Sequence, residues 1–316
     1  MIATHYEVDF SEHYLAEFMA ERGVGFLGWN TRYRGAGPFF SLDEARTDIG
    51  VGIRWLREEA GIDTVVLLGN SGGASLMSAY QSEAAATGTL PAGDLFVSLN
   101  AHRGRPDVLT TWLDPSVTDE ADPLSVDTSI DMFESSHGPP YPAAFVSAYR
   151  DAQVIRNGRI TNWCRDELDR LGQSGATDRV FCVPRAWADL RFADLTIDPS
   201  QRLAGCYAGD PRRANYGAFG LASTCTCLSW LEMWSLDASS CRAEPHLENV
   251  TVPTLVVQSD ADQGCFPSDA TAIFEAVAAK DKSLSWLPGD HYLRGEGERD
   301  AAADLVADWL TTRGAA

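Results

Sequence analysis

Short apolar runs separated by stretches of helical periodicity constrain this chain more than any other feature. Val24 to Trp29, Thr64 to Gly69 and Asp94 to Leu99 are each rich in Val, Leu or Phe and bounded by turn residues, and Ile2 to Thr4 forms a stub of the same kind. Runs of this length read as buried strands. Between them, Ser11 to Arg22 and Ser41 to about Ala60 read as helices, the second with Ile49, Ile53 and Leu56 on one face and a capping box formed by Ser41 and Glu44 at its start. A small-residue helix is expected from just beyond Ser71 to about Ala86. Such alternation forms a mostly parallel central sheet flanked by helices, an α/β layout.

From about Arg103 to Pro245 no alternation can be followed, and five of the nine tryptophans fall there. It resumes with Pro253 to Gln258, a helix at about Asp269 to Ala279, a strand at Leu284 to Leu287 and a last helix near Asp300 to Thr311. The expectation is one core made of residues 1–102 and 246–316, interrupted by a mainly helical cap over 103–245. At 316 residues the chain is long enough for such an arrangement.

Composition narrows the function. With 45% apolar and 22% charged residues the chain sits in the ordinary globular range, and no stretch reaches the length of a membrane helix. A formal charge of −20 repels a phosphate backbone, so nucleic acid is not an expected partner. No basic region followed by an apolar run opens the sequence, which points to a cytoplasmic address. All seven cysteines lie in the second half, an odd number without finger-like ligand spacing, so free thiols are expected and no metal.

Gly69-Asn70-Ser71-Gly72-Gly73 follows one predicted strand directly and opens the small-residue helix. A serine on a strained turn needs neighbours without side chains, and Gly69 and Gly73 provide them. The helix beginning there aims its first N–H groups at the turn, so the Gly72 amide can stabilise an oxyanion. Serine is a poor nucleophile without a base, and the base needs an orienting acid. His291, just past the last strand in Pro288-Gly289-Asp290-His291-Tyr292, is the best-placed base, with His102 as its rival. The loop Ser259-Asp260-Ala261-Asp262 offers two acids, of which Asp262 is deep enough to reach across and Asp260 suits a turn cap. Gly23-Val24-Gly25-Phe26-Leu27-Gly28 spells a dinucleotide fingerprint, but its glycines run from a helix into a strand, the reverse of what a phosphate cradle needs.

In the order Ser, Asp, His, with Gly-Asn-Ser-Gly-Gly after a strand, Pro-Thr-Leu-Val-Val-Gln-Ser-Asp-Ala-Asp and then Gly-Asp-His-Tyr, the chain resembles the α/β-hydrolase superfamily. The resemblance covers both core blocks and implies a sheet with catalytic residues at strand ends, here without the family's first hairpin. It implies a second oxyanion donor in the loop Thr4-His5-Tyr6-Glu7, for which the Tyr6 amide is nominated. The family's aspartate-nucleophile members, epoxide hydrolases and haloalkane dehalogenases, do not fit Ser71.

The expected activity is hydrolysis of a carboxylic ester of a small, largely apolar substrate through an acyl-enzyme, without a cofactor. The same triad could serve a lactone, an amide or carbamate, a C–C bond or acyl transfer, and a non-catalytic binding module is the reading from another class. Expected partners are thus a small-molecule ester, not nucleic acid or membrane, and a homo-oligomer is compatible with the sequence. In the cap, Trp112, Tyr141, Phe145, Tyr149, Trp163, Trp230 and Trp234 are candidates for a pocket wall or for cap core. Arginines 150, 156, 159 and 165 recur at roughly helical spacing and read as a solvated face rather than a carboxylate site.

Overall fold

The computed structural model describes residues 1–315. Six strands form one parallel sheet: β1 (Ile2–Ala3), β2 (Leu27–Gly28), β3 (Val66–Asn70), β4 (Leu95–Leu99), β7 (Thr254–Ser259) and β8 (Lys282–Leu287), in the order β2-β1-β3-β4-β7-β8. Strands β3, β4 and β7 are buried along their whole length, which is why they read as continuous apolar runs rather than as alternation.

Helices Leu42–Glu58, Gly73–Thr87 and Pro267–Ala276 supply one apolar layer, through residues such as Ile49, Ile53, Leu76 and Ile273. Ala16–Glu21 and Glu298–Thr311 supply the opposite one, through Met19, Val306 and Leu310. From β1 the chain moves outward to β2, then returns through Leu42–Glu58 to β3 on the other side of β1. The carboxyl ends of β1 and β3 therefore flank a topological switch point, the place where open α/β sheets leave a crevice.

Three local expectations need correction. The first helix spans Ala16–Glu21 and not Ser11 to Arg22, because Asp9 and His13 divert the preceding backbone into turns by accepting the amides of Ser11 and Leu15. Ser41 does precede a helix, but its side chain makes no cap. The orphan amide of Leu42 goes instead to Glu232 Oε1 at 2.8 Å, and Glu44 is drawn away to Arg32. Between β4 and β7 the chain leaves the sheet. It forms the 30-residue helix Ala143–Gly172, shorter helices, and an antiparallel ribbon of β5 (Val180–Cys182) and β6 (Thr224–Thr226), strands too short to show as alternation in the sequence. Among the described residues no helix is long and apolar enough to cross a membrane, and the seven cysteines are unpaired.

Candidate active site

Ser71 stands one residue beyond β3 with φ +55°. A non-glycine residue in that region is strained, and its neighbours hold it there. Its amide donates to Leu99 O at 3.0 Å, tying the turn to β4. A Cβ on Gly69 would lie 2.4 Å from Ala74 Cα, and one on Gly73 2.3 Å from Thr4 O. Both glycines are thus required by close backbone approach, which lets the helix Gly73–Thr87 start directly against β1 and β3.

Asp262 lies three residues past β7 and is 1% exposed. Its Oδ1 accepts the amides of Gly264 and Cys265 at 2.8 and 3.0 Å, and its Oδ2 lies 2.7 Å from His291 Nδ1. A carboxylate accepts there, so Nδ1 carries the proton and Nε2 is left as the imidazole's acceptor. Asn100, at the end of β4, locks the two loops together: its Oδ1 accepts the Ser259 amide at 2.7 Å, and its Nδ2 donates to His291 O at 3.2 Å. The Tyr207 hydroxyl sits 3.3 Å from His291 Nδ1 and 3.9 Å from Cys265 Sγ. Asp262, Cys265 and His291 also form a trio of the kind that can hold a metal ion. Taking one up would break the Asp262–His291 bond and require the thiolate of Cys265, which burial opposes by pushing that thiol's pKa up.

Ser71 and His291 line one cavity of about 790 Å³, with His5, His102 and Arg105. Among the described residues no hydrogen bond joins Ser71 to His291. Asp260 makes none to His291 either, and the His102 ring accepts the Gly104 amide at 3.2 Å and has no carboxylate partner. Tyr6 is wholly buried: its hydroxyl shares a hydrogen bond with Ser75 Oγ at 2.9 Å, and the Arg105 guanidinium lies 4.6 Å above its ring. Its side chain is thus committed elsewhere, and Tyr6 is not among the residues that line the cavity shared by Ser71 and His291.

The aromatic nominees divide. Trp112 and Trp234 line the cavity, beside Val108, Trp187 and Phe219. Trp163 borders a separate cavity, while Tyr141, Tyr149 and Trp230 are buried in packed clusters with Phe145 against the first two. Of the four arginines, Arg159 and Arg165 are solvated as expected, whereas Arg150 is half-buried and Arg156 is buried. Arg156 is 2% exposed and pairs with Glu120 at 2.6 Å, Arg159 shares that carboxylate, Arg150 binds Asp189 and Arg165 binds Asp237. Their partners come from distant segments, so spacing along one helix could not find them. Tyr207, Asn100 and Arg105 carry no local motif and were not found from the sequence.

No family model matches the chain, and no curated protein matches its sequence. Solved structures do. A monoacylglycerol lipase of Paleococcus ferrophilus is 15% identical over 98% of this chain and 93% of its own, with a TM-score of 0.52. Est1E of Butyrivibrio proteoclasticus is 13% identical over 100% of this chain and 88% of its own, also at 0.52, and its complex with ferulic acid superposes at 0.51. At such identities the likeness is one of fold.

Proposed function

On the α/β-hydrolase fold that this chain adopts, we propose that Ser71, His291 and Asp262 form a catalytic triad that hydrolyses a carboxylic ester. One observation carries the reading: a serine at φ +55° on a strand-turn-helix junction shares its cavity with a histidine hydrogen-bonded to a buried carboxylate. The monoacylglycerol lipase among the similar folds supports the same bond class.

In this mechanism Ser71 Oγ attacks the ester carbonyl while His291 Nε2 takes its proton. Asp262, charged and held by two amides, keeps the imidazole oriented and stabilises the imidazolium. The oxyanion is met by the Gly72 amide, with the Tyr6 amide as second donor. Collapse expels the alkoxide, which takes the proton from His291. Water then gives a proton to His291 as its oxygen attacks the acyl-enzyme; collapse breaks the bond to Ser71 Oγ, which takes that proton back from His291, and the acid is released. Residues 103–245 act as a lid, whose Val108, Trp112, Trp187 and Phe219 give the acyl group an apolar wall.

The test is labelling with a fluorophosphonate probe and turnover of p-nitrophenyl esters. Both should be present in the wild type and absent in Ser71→Ala, with the circular dichroism spectrum unchanged. Labelling that persists on another serine would sink the assignment.

A further inference from the structure

Three N–H groups that the triad leaves unused converge beside Gly72. A Cβ built on Gly72 would lie 2.9 Å from His5 Nε2, 3.2 Å from His102 Nε2 and 3.3 Å from Arg105 Nε. The hydrogen bonds on the far side of each ring settle the tautomers. His102 Nδ1 accepts the Gly104 amide at 3.2 Å, and His5 Nδ1 faces the donor Nη2 of Arg105 at 3.4 Å. Each imidazole therefore carries its proton on Nε2, the nitrogen turned toward Gly72. Burial, with Arg105 nearby, pushes both pKa values far down, so the rings are neutral donors at neutral pH.

Arg105 supplies the charge. Its side chain is 3% exposed, its Nε has no hydrogen-bond partner, and Nη2 has only His5 and Glu7 Oε1 at the long distances of 3.4 and 3.5 Å. The guanidinium is wedged between the rings of Tyr6 and Trp234, at 4.6 and 5.0 Å. The edge of the guanidinium that can grip both oxygens of a carboxylate is thus the edge left poorly satisfied, and an unmet buried N–H on a charged group is costly. The other charged side chains lining the cavity are Glu7, Asp9 and Glu12, and Asp9 is taken up by Ser11, Asn30 and Arg34.

We propose that His5, His102 and Arg105 form a carboxylate subsite beside the nucleophile, and that the preferred substrate is a half-ester of a short dicarboxylic acid. This rests on the triad reading and deepens it. With Glu7 Oε1 3.5 Å from Nη2, the one guanidinium charge is partly offset, and flanked by two neutral donors it suits a monoanion better than a phosphate dianion. The alcohol must face His291, which returns a proton to it, so the acyl part takes the side at Gly72. Gly72 directly follows Ser71 in the chain, so a carboxylate held beside it lies only a few bonds from a carbonyl bonded to Ser71 Oγ.

The experiment compares mono-p-nitrophenyl glutarate with p-nitrophenyl pentanoate, of equal acyl length, at pH 7 and fixed ionic strength. The wild type should favour the half-ester in kcat/KM by about 10-fold or more, and Arg105→Gln should lower that ratio by about 10-fold or more. Equal rates on the two esters, or an equal loss on both in Arg105→Gln, would overturn the subsite and place the guanidinium behind the oxyanion. Calorimetry with the wild-type protein needs no variant to fold: butyrate should bind at least about 10-fold tighter than butyramide, its neutral isostere, and equal affinities overturn the proposal. If neither ester turns over and Ser71 is not labelled, the triad reading fails, while the calorimetric comparison still decides the subsite.

Discussion

Asn100 grips Ser259 at both backbone and side chain: its Oδ1 accepts the Ser259 amide at 2.7 Å and its Nδ2 donates to Ser259 Oγ at 2.9 Å. The same Nδ2 reaches His291 O, so one side chain at the end of β4 sets the loops that carry Asp262 and His291. Asn100 itself sits at φ +44°, a conformation that asparagine tolerates better than most residues.

Replacing Asn100 by Ala should therefore cost twice, in strain and in buried groups left without partners. A loss of about 2–4 kcal/mol is expected in urea unfolding, with a fall in kcat larger than any rise in KM. An Asn100→Ala protein as stable and as active as the wild type would show that the loops hold themselves.

Asp262→Asn should keep the amide bonds from Gly264 and Cys265 to Oδ1 and so keep the fold. It would lower kcat by about 10⁴, because a neutral amide no longer fixes the tautomer or stabilises the imidazolium. Asp260→Asn should change the rate little, since Asp260 makes no bond to His291. The opposite ranking of the two variants would move the orienting role to Asp260.

Stability should fall steeply in mild acid. Burial lowers the pKa of His5 far below its ordinary value, that of His102 to about 3 and that of His13 to about 4. Between pH 6.5 and 4 the unfolded chain thus binds protons that the folded chain refuses, and stability rises with pH through that window and is lost as pH falls. Three such groups contribute a slope approaching about 4 kcal/mol per pH unit. Urea midpoints measured across this range should show it, and His102→Gln should remove about a third of the slope. A flat profile from pH 4 to 6.5 would mean that these rings are hydrated in solution.

Cavity wall and packed core separate in the aromatic residues. Phe219 is 77% exposed and lines the cavity, so Phe219→Ala should change the ranking of p-nitrophenyl esters by chain length at little cost in stability. Trp230 is fully buried with its N–H on Thr161 Oγ1, and Trp230→Ala should cost about 3–5 kcal/mol with the ranking intact. An unchanged ranking in Phe219→Ala would put the acyl group elsewhere.

The strands, the crossover helices and the turn at Ser71 were legible in the sequence because they are written locally, in apolar periodicity and in the glycines a tight turn demands. That Ser71, Asp262 and His291 each stand just past a strand was legible for the same reason, and parallel strands deliver such loops to one end of the sheet. What only the tertiary structure decided is which side chains meet there. Trp163 and Trp230 look alike in sequence to Trp112, yet packing sends them to a different cavity and to the core. Arg105 meets His5 across a hundred positions of chain, and Tyr207 reaches His291 across 84. Contacts of that range arise from the burial and crossing of whole elements, and no residue's local pattern encodes them.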